Sequence, residues 1–286
     1  MSKHASICGY GHQNRLRKIG GPEKHISILV ANWHGGEAIE LCIESILKRT
    51  TKGVRYKIYV LDSTGEGSRE REYLKKQRDI GNIRLVTKEV RMEHGEALKV
   101  LLKECNSLLA CFLDSDIEVL HKDWLLDLIK LVQTPKDLGV AKFEPAGAAF
   151  NQRGEWEWIA PTFRPFCMLL NLRLYNNIAQ KNDWDWGVCK VEDYPCPKLF
   201  KNFRPPDKGI VFLHMAFFFS EKIIFFNKHN LRMHDTPPGF WETKIRHYES
   251  LSHPEDDING EEGQRHKRKL IHEALLRLRA EKRKDE

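Results

Sequence analysis

Paired cysteines are missing from this chain of 286 residues: the seven cysteines are an odd number and no two of them form a CxxC pair. Neither a disulfide framework nor a zinc knuckle is indicated, and the thiols read as buried or free groups of a reducing compartment. Long apolar runs are also missing. The longest, Ile210–Ser220 and Ile223–Phe226, are too short to cross a bilayer. The opening stretch MSKHASICGYGHQNRLRK holds no apolar core of signal-peptide length. The expectation is a cytoplasmic chain, soluble or peripheral to a membrane. Charge of one sign is not in large excess. The net charge is +7, with much of it toward the ends, which suits an anionic small molecule or a negative membrane surface at least as well as nucleic acid. No nucleic-acid partner is expected, and no internal repeat is seen.

What is present is an ordinary globular composition, with 41% hydrophobic and 30% charged residues, which excludes a disordered chain. The length allows one large α/β domain or two small ones. Residues 1–24 read as an irregular basic lead-in. Its Gly9-Tyr10-Gly11 lacks both the preceding strand and the third glycine of a dinucleotide loop. From His25 the chain alternates. His25–Asn32 reads as a strand, Trp33–Gly36 as a turn, and Glu37–Arg49 as a helix with Ile39, Cys42, Ile43, Ile46 and Leu47 apolar. Tyr56–Asp62 is a second strand ending in an acid and followed by a loop of turn formers. Arg69–Arg78 is a helix, Ile83–Val86 a strand and Gly95–Cys105 a helix. This rhythm implies a mostly parallel, Rossmann-like sheet flanked by helices, with ligands bound beyond the carboxyl ends of its strands.

The fourth apolar run, Leu108–Leu120, contains Asp114-Ser115-Asp116. As a continuous strand it would point both acids the same way, with Cα atoms roughly 6.5 Å apart. Two carboxylates at that spacing repel by about 2–3 kcal/mol at an effective dielectric near 20, and a divalent cation would turn the repulsion into attraction. The competing reading is an acidic helix-entry loop without metal. Asp62, at another strand end, can accept a hydrogen bond from an imide N–H such as that of uracil, or can be a turn-forming Asp bonded to its own loop. Trp124–Val132 reads as a helix. Residues Gly139–Phe203 are rich in Trp, Phe, Pro and Asn and yield no assignable elements. Gly209–Phe219 reads as a strand, Glu221–Asn230 as a helix, His234–Glu242 as a loop and Lys244–Tyr248 as a short strand. Pro254–Gly263 is an acidic linker and Gln264–Glu286 a basic helix with an apolar stripe at Leu270, Ile271, Ala274, Leu275 and Leu278.

The succession of strand, helix, strand ending in an acid, and Asp-Ser-Asp, with Gly95-Glu96-Ala97-Leu98-Lys99 before the last strand, resembles the inverting family-two glycosyltransferases of GT-A fold. The resemblance spans about residues 26–252 and is strongest over 26–120. It implies a nucleotide-sugar-binding half over 25–120, an acceptor-binding half over 121–253 and a tail over 254–286. It implies that Ala31, Asn32, Asp62, Asp114 and Ser115 contact the donor, a UDP-, GDP- or dTDP-linked sugar. Asp114 and Asp116 would hold Mn²⁺ or Mg²⁺ on its diphosphate. Family members often add a late histidine to the metal, which points to His247 in Arg246–Ser252, with His253 in reserve. A lone histidine among thirteen can equally be a surface or core residue. An inverting transfer to a saccharide, lipid-linked or other hydroxyl acceptor needs a general base. Glu242 stands in the implied place and Asp235 is second, although the family's usual Glu-Asp pair is absent. Trp241, Trp156, Trp158, Phe163 and Phe166 can stack on sugars or fill the core. The basic tail helix can rest on a membrane surface, pack on its own domain or join a second subunit in a homodimer. Three rivals remain: a sugar nucleotidyltransferase, for which Asn32–Gly36 lacks the basic glycine-rich loop, a basic nucleic-acid binder, and a non-catalytic scaffold of the same fold.

Overall fold

The structure, a computed structural model, describes residues 25–92, 94–133, 136–138, 141–152, 162–172, 231–235, 243–248 and 260–282. The first half alternates as expected: β1 (His25–Asn32), α1 (Glu37–Arg49), β2 (Arg55–Asp62), α2 (Arg69–Asp79), β3 (Ile83–Thr87), α3 (His94–Glu104) and β4 (Leu109–Asp114). Then come β5 (Ile117–Val119), α4 (Trp124–Gln133), β6 (Lys136–Leu138), β7 (Ala141–Gln152), β8 (Thr162–Asn171), β9 (Leu231–Asp235), β10 (Ile245–His247) and α5 (Gly260–Lys282). The main sheet has the order β3-β2-β1-β4-β8-β7-β6, with β9 also on β7. It is parallel from β3 to β4, and β8 then enters antiparallel to both β4 and β7.

Strand alternation divides the core into two layers. Ile26, Ile28 and Val30 of β1 pack with Ile39, Cys42, Ile43 and Ile46 of α1 and with Trp124, Leu125 and Leu128 of α4. Leu29, on the opposite face, packs with Tyr59 and Leu61 and with Ala97, Leu98 and Leu101 of α3. The α1 residues recur at i, i+3, i+4 and i+7, the spacing that puts them on one stripe. Acids in the first turn of α1 and Lys48 and Arg49 in its last suit the helix dipole.

Several expectations need correction. Leu108–Leu120 is not one strand: β4 ends at Asp114, Ser115 and Asp116 form a turn, and Ile117–Val119 leave the main sheet to pair with β10. The segment 139–203, where no element was assignable, contributes β7 and β8. Pro145 and Gly147 interrupt the β7 pattern, and the register slips between Pro145 and Gly147 on its β9 side, as expected where proline removes a ladder donor. His234 and Asp235 close strand β9 rather than lying in a loop. The last four residues of the expected acidic linker already belong to α5. The strand expected over 209–219 and the helix over 221–230 lie outside the described residues.

The apolar stripe of α5 is used within the chain. Ile271, Ala274, Leu275 and Leu278 are buried with Ala38 and Leu41 of α1 and with Tyr248, whereas Leu270 stays partly exposed. Ion pairs extend the contact: Arg279 to Glu40 and Glu44, Arg49 to Glu281, and His272 to Glu37. No described helix is long and apolar enough to cross a membrane.

Ile28 has no exposed surface and sits on β1, between β2 and β4. Ile28→Ala is expected to lower unfolding free energy by about 2–5 kcal/mol in urea titrations. Val90→Ala, at a position 72% exposed, is expected to stay within about 0.5 kcal/mol.

Candidate donor and metal site

Register sets the edge on which the site is built. Ala31 lies beside Asp114 across the β1–β4 pairing, and Asn32 beside Asp62 across the β1–β2 pairing. The sheet therefore brings Ala31, Asn32, Asp62 and Asp114 to one carboxyl edge, where open α/β sheets bind ligands.

Asp114 and Asp116 converge with His247 for a reason different from strand alternation. The turn at Ser115 and Asp116 folds β5 back so that it pairs antiparallel with β10, placing His247 opposite Ile117. The backbone N–H of Tyr248 donates to the Asp116 carbonyl at 3.0 Å. His247 Nε2 then lies 3.2 Å from Asp116 Oδ1 and 3.4 Å from Asp114 Oδ2. One ligand atom from each of the three residues falls within a 4.8 Å span. Neighbouring ligands on an octahedral ion with bonds near 2.1 Å are about 3 Å apart, so two carboxylate oxygens and an imidazole nitrogen at these separations fit a divalent cation. The donor set suits Mg²⁺ or Mn²⁺, with the imidazole favouring the latter.

The His247 ring stacks on Phe166, with centroids 4.6 Å apart and planes 13° from parallel. Burial opposes a charge on His247, but Asp116 and Asp114 outweigh it and push the imidazole up to about 10. Burial and the same two carboxylates raise the Cys42 thiol well above its usual range. Asp114 also has His94 on its other oxygen, Nε2 to Oδ1 3.5 Å. Ser115 is buried within the turn.

Asp62 occupies the expected strand end but faces inward. It is fully buried. Its Oδ2 receives Arg71 Nε at 2.7 Å, and its Oδ1 receives Asn32 Nδ2 at 2.8 Å and the Thr64 hydroxyl at 2.7 Å. Both carboxylate oxygens of Asp62 are thus engaged by neighbouring side chains. Arg71, also fully buried, further donates to Glu89 and to the Asp62 and Lys88 carbonyls. Asn32 is 2% exposed, and its Oδ1 has no hydrogen-bond partner among the described residues. Gly35 lies against it: a Cβ there would come 2.4 Å from that oxygen, so the Asn32 amide would have to shift. On the other side of this loop a cavity of about 300 Å³ opens between His34, Gly36, Arg69 and Arg268, and none of the three metal-candidate residues lines it.

Of the remaining expected site residues, Asp235 ends β9. That strand runs parallel to β7 and hence to β4, so Asp235 stands at the same sheet edge as Asp114. Glu242, His253, Trp241, Trp156 and Trp158 lie outside the described residues. Phe166 is core, against His247, and Phe163 falls in β8. Arg71, His94 and Glu118 were not singled out from the sequence. Arg71 shares its helix face with Leu74 at i+3, the one local sign that it points inward.

A sheet of this order, mostly parallel and flanked by helices, has the architecture of an α/β protein of GT-A type. The model of the family described as "Glycosyl transferase family 2" matches residues 27–185, and the chain belongs to that family. Its mostly parallel sheet flanked by helices, with a C-terminal helix packed alongside, is the GT-A fold. No curated protein sequence matches the chain. Among solved structures, it is similar to the mannosyltransferase PcManGT from Pyrobaculum calidifontis in complex with GDP-Man and Mn²⁺, at 14% identity and TM-score 0.49, covering 74% of this chain and 55% of that one. It is similar to S. aureus TarS 1-349 in complex with UDP-GlcNAc, at 15% identity and TM-score 0.41, covering 56% and 47%. It is also similar to the glucosyl-3-phosphoglycerate synthase from Mycobacterium tuberculosis in complex with Mg²⁺ and UDP, at 20% identity and TM-score 0.38, covering 53% and 58%. The chain thus spans about half the length of each of these three proteins.

Arg71→Met would leave the Asp62 carboxyl buried without its cation. It is expected to destabilise the fold by about 3–5 kcal/mol, read by chemical denaturation. Arg78→Met, which breaks an exposed pair with Asp79, is expected to change stability by less than about 1 kcal/mol.

Proposed function

We propose that the chain transfers a sugar from a nucleotide-diphosphate donor to an acceptor hydroxyl, with inversion and with a divalent cation held by Asp114, Asp116 and His247. The observation that carries this reading is the convergence of those three side chains at the carboxyl edge of a family-two glycosyltransferase sheet. A cation bound there supplies charge neutralisation to the departing nucleoside diphosphate. Ala31 and Asn32 border the donor at the adjoining strand end. Asp62 acts through Asn32: it fixes the amide by accepting from Nδ2 and leaves Oδ1, a buried acceptor without a partner among the described residues, for an N–H or O–H of the donor nucleoside. Ser115 keeps the two acids in a tight turn. In the transfer the acceptor oxygen bonds to the anomeric carbon as that carbon's bond to the diphosphate oxygen breaks. The hydroxyl proton passes to a carboxylate base. Glu242 is the base in this reading and Asp235, at the same sheet edge, the second choice. Saccharide, lipid-linked and other hydroxyl acceptors all fit this chemistry, and the exposed basic face of α5 is compatible with work at an anionic membrane surface.

The donor is tested by thermal shift with UDP-, GDP- and dTDP-sugars, each with and without Mn²⁺. One nucleotide class should stabilise the protein, and only when the metal is present. Stabilisation by none of them, or release of pyrophosphate in place of a nucleoside diphosphate during turnover, would overturn the reading. Asp116→Ala should abolish Mn²⁺-dependent binding of the nucleoside diphosphate in calorimetry, and an unchanged affinity removes Asp116 from the site.

A further inference from the structure

We infer that the C-terminal helix α5 is a positioning element of the metal site, acting through Glu118 and Tyr248 on the short strand that carries His247. The inference deepens the metal reading above and names residues which that reading does not use. Its starting point is the weakness of β10. This strand is three residues long and among the described residues pairs with β5, also of three residues, with one backbone hydrogen bond flanking it at each end, and a two-stranded pairing of that length has little stability of its own. Yet His247 reaches both acids only if β10 holds its register.

Side-chain alternation along β10 shows what holds it. His247 faces Asp114 and Asp116, while Arg246 and Tyr248, one residue to either side, face the other way. Both meet Glu118, a carboxyl 1% exposed and two residues beyond Asp116. The Tyr248 hydroxyl donates to Glu118 Oε2 at 2.9 Å, and Arg246 Nη1 approaches the same oxygen at 3.3 Å. The other oxygen, Oε1, takes Arg277 Nη2 of α5 at 3.3 Å. The Tyr248 ring is buried with Ile271, Ala274, Leu275 and Leu278 of the same helix and with Ala38 and Leu41 of α1. Burial pushes the Tyr248 phenol up to about 12, so it remains a hydrogen-bond donor at neutral pH.

One buried carboxyl therefore joins three pieces of chain: the strand after Asp116, the strand bearing His247 and the last helix. A buried acid is retained at a cost unless all its partners are present. Here the partners are distributed so that undocking α5 removes the Arg277 contact and the apolar seat of Tyr248 together. The release falls on the residue next to His247. Glu118, Tyr248 and Arg277 are positioning residues, because none of them offers an atom to the cation. Other groups of α5 bind elsewhere. Arg279 goes to Glu40 and Glu44, and Lys48 donates to the Leu278 carbonyl, so contacts that dock the helix and the contact that reaches Glu118 are separable.

The test uses the full chain and Mn²⁺ alone, with free Mn²⁺ counted by electron paramagnetic resonance. Amide hydrogen exchange is read over residues 117–119 and 245–248. Arg277→Met and Glu118→Gln are expected to weaken Mn²⁺ binding by about 10–100-fold, the usual effect of losing an outer partner of a metal ligand, and to speed exchange in both strands. Arg277→Lys should recover part of the affinity. Arg279→Met should leave Mn²⁺ affinity and exchange in both strands as in the wild type. If Glu118→Gln does not fold, Arg277→Met and Tyr248→Phe carry the same test from the partner side. Folded variants that match wild type in both measurements would overturn the inference, as would an equal loss in Arg279→Met. A wild-type chain that binds no Mn²⁺ sinks the metal reading instead. The exchange data then decide the positioning claim by themselves.

Discussion

Two acids of like charge at the end of one strand set the terms for everything around them. Asp114 and Asp116 stand where the sheet gives out, and their repulsion is worth kilocalories in a partly desolvated place. Without a cation the charge is met by His247, which lies within 3.5 Å of both carboxyls and is held protonated by them. In the proposed reading a divalent cation would take the same three groups as ligands, and His247 would release its proton on binding it. The surrounding structure keeps the three groups together: a turn at Ser115, a short antiparallel pairing, a stacked phenylalanine and a buried glutamate behind.

A second group of charges, a few residues away along the same edge, works differently. Arg71 and Asp62 are both fully buried and face each other inside the protein. Isolated, either would be very costly to bury. Together with Asn32, Thr64 and the carbonyls of Asp62 and Lys88 they form a network whose hydrogen-bonding groups are almost all satisfied, and the exception is the Asn32 oxygen. That oxygen is where the network meets the edge of the sheet, so the polar interior both stiffens the loops after β1 and β2 and leaves one acceptor without a partner among the described residues.

The first half of the fold was legible because local signals and tertiary packing agree there. β1 and α1 were read from periodicity to their final boundaries, and β2, α2, β3 and α3 to within one residue. Asp62 and Asp114 were recognised as strand ends, and the register places them on one edge. Asp116 and His247 do meet, but through a turn that the strand reading of Asp114 and Asp116 did not contain, because nothing in Leu-Asp-Ser-Asp-Ile distinguishes a continuing strand from a tight turn into a new one. The later strands were illegible for a physical reason. β7 and β8 sit where proline and glycine break the alternation, and they gain their place from pairing with β4 rather than from their own sequence. Arg71 and Glu118 were missed because burial of a charge is decided by partners distant in sequence. An isolated arginine in Arg-Glu-Arg-Glu or a glutamate between Ile117 and Val119 carries no mark of them.

Glu118 and Arg277 are separated by 159 positions along the chain. A ribosome adding about 5–20 residues per second delivers the arginine roughly 8–30 s after the glutamate. For that interval the parallel half of the sheet has been translated while Glu118 still lacks its partner from the helix, Arg246 having arrived earlier. Closure of so long a loop is the slow kind of contact. In the positioning role inferred for α5, completion of this edge of the sheet would therefore be timed by the arrival of that helix, and a nascent chain stalled before it would carry Asp114 and Asp116 without the Arg277 brace on Glu118.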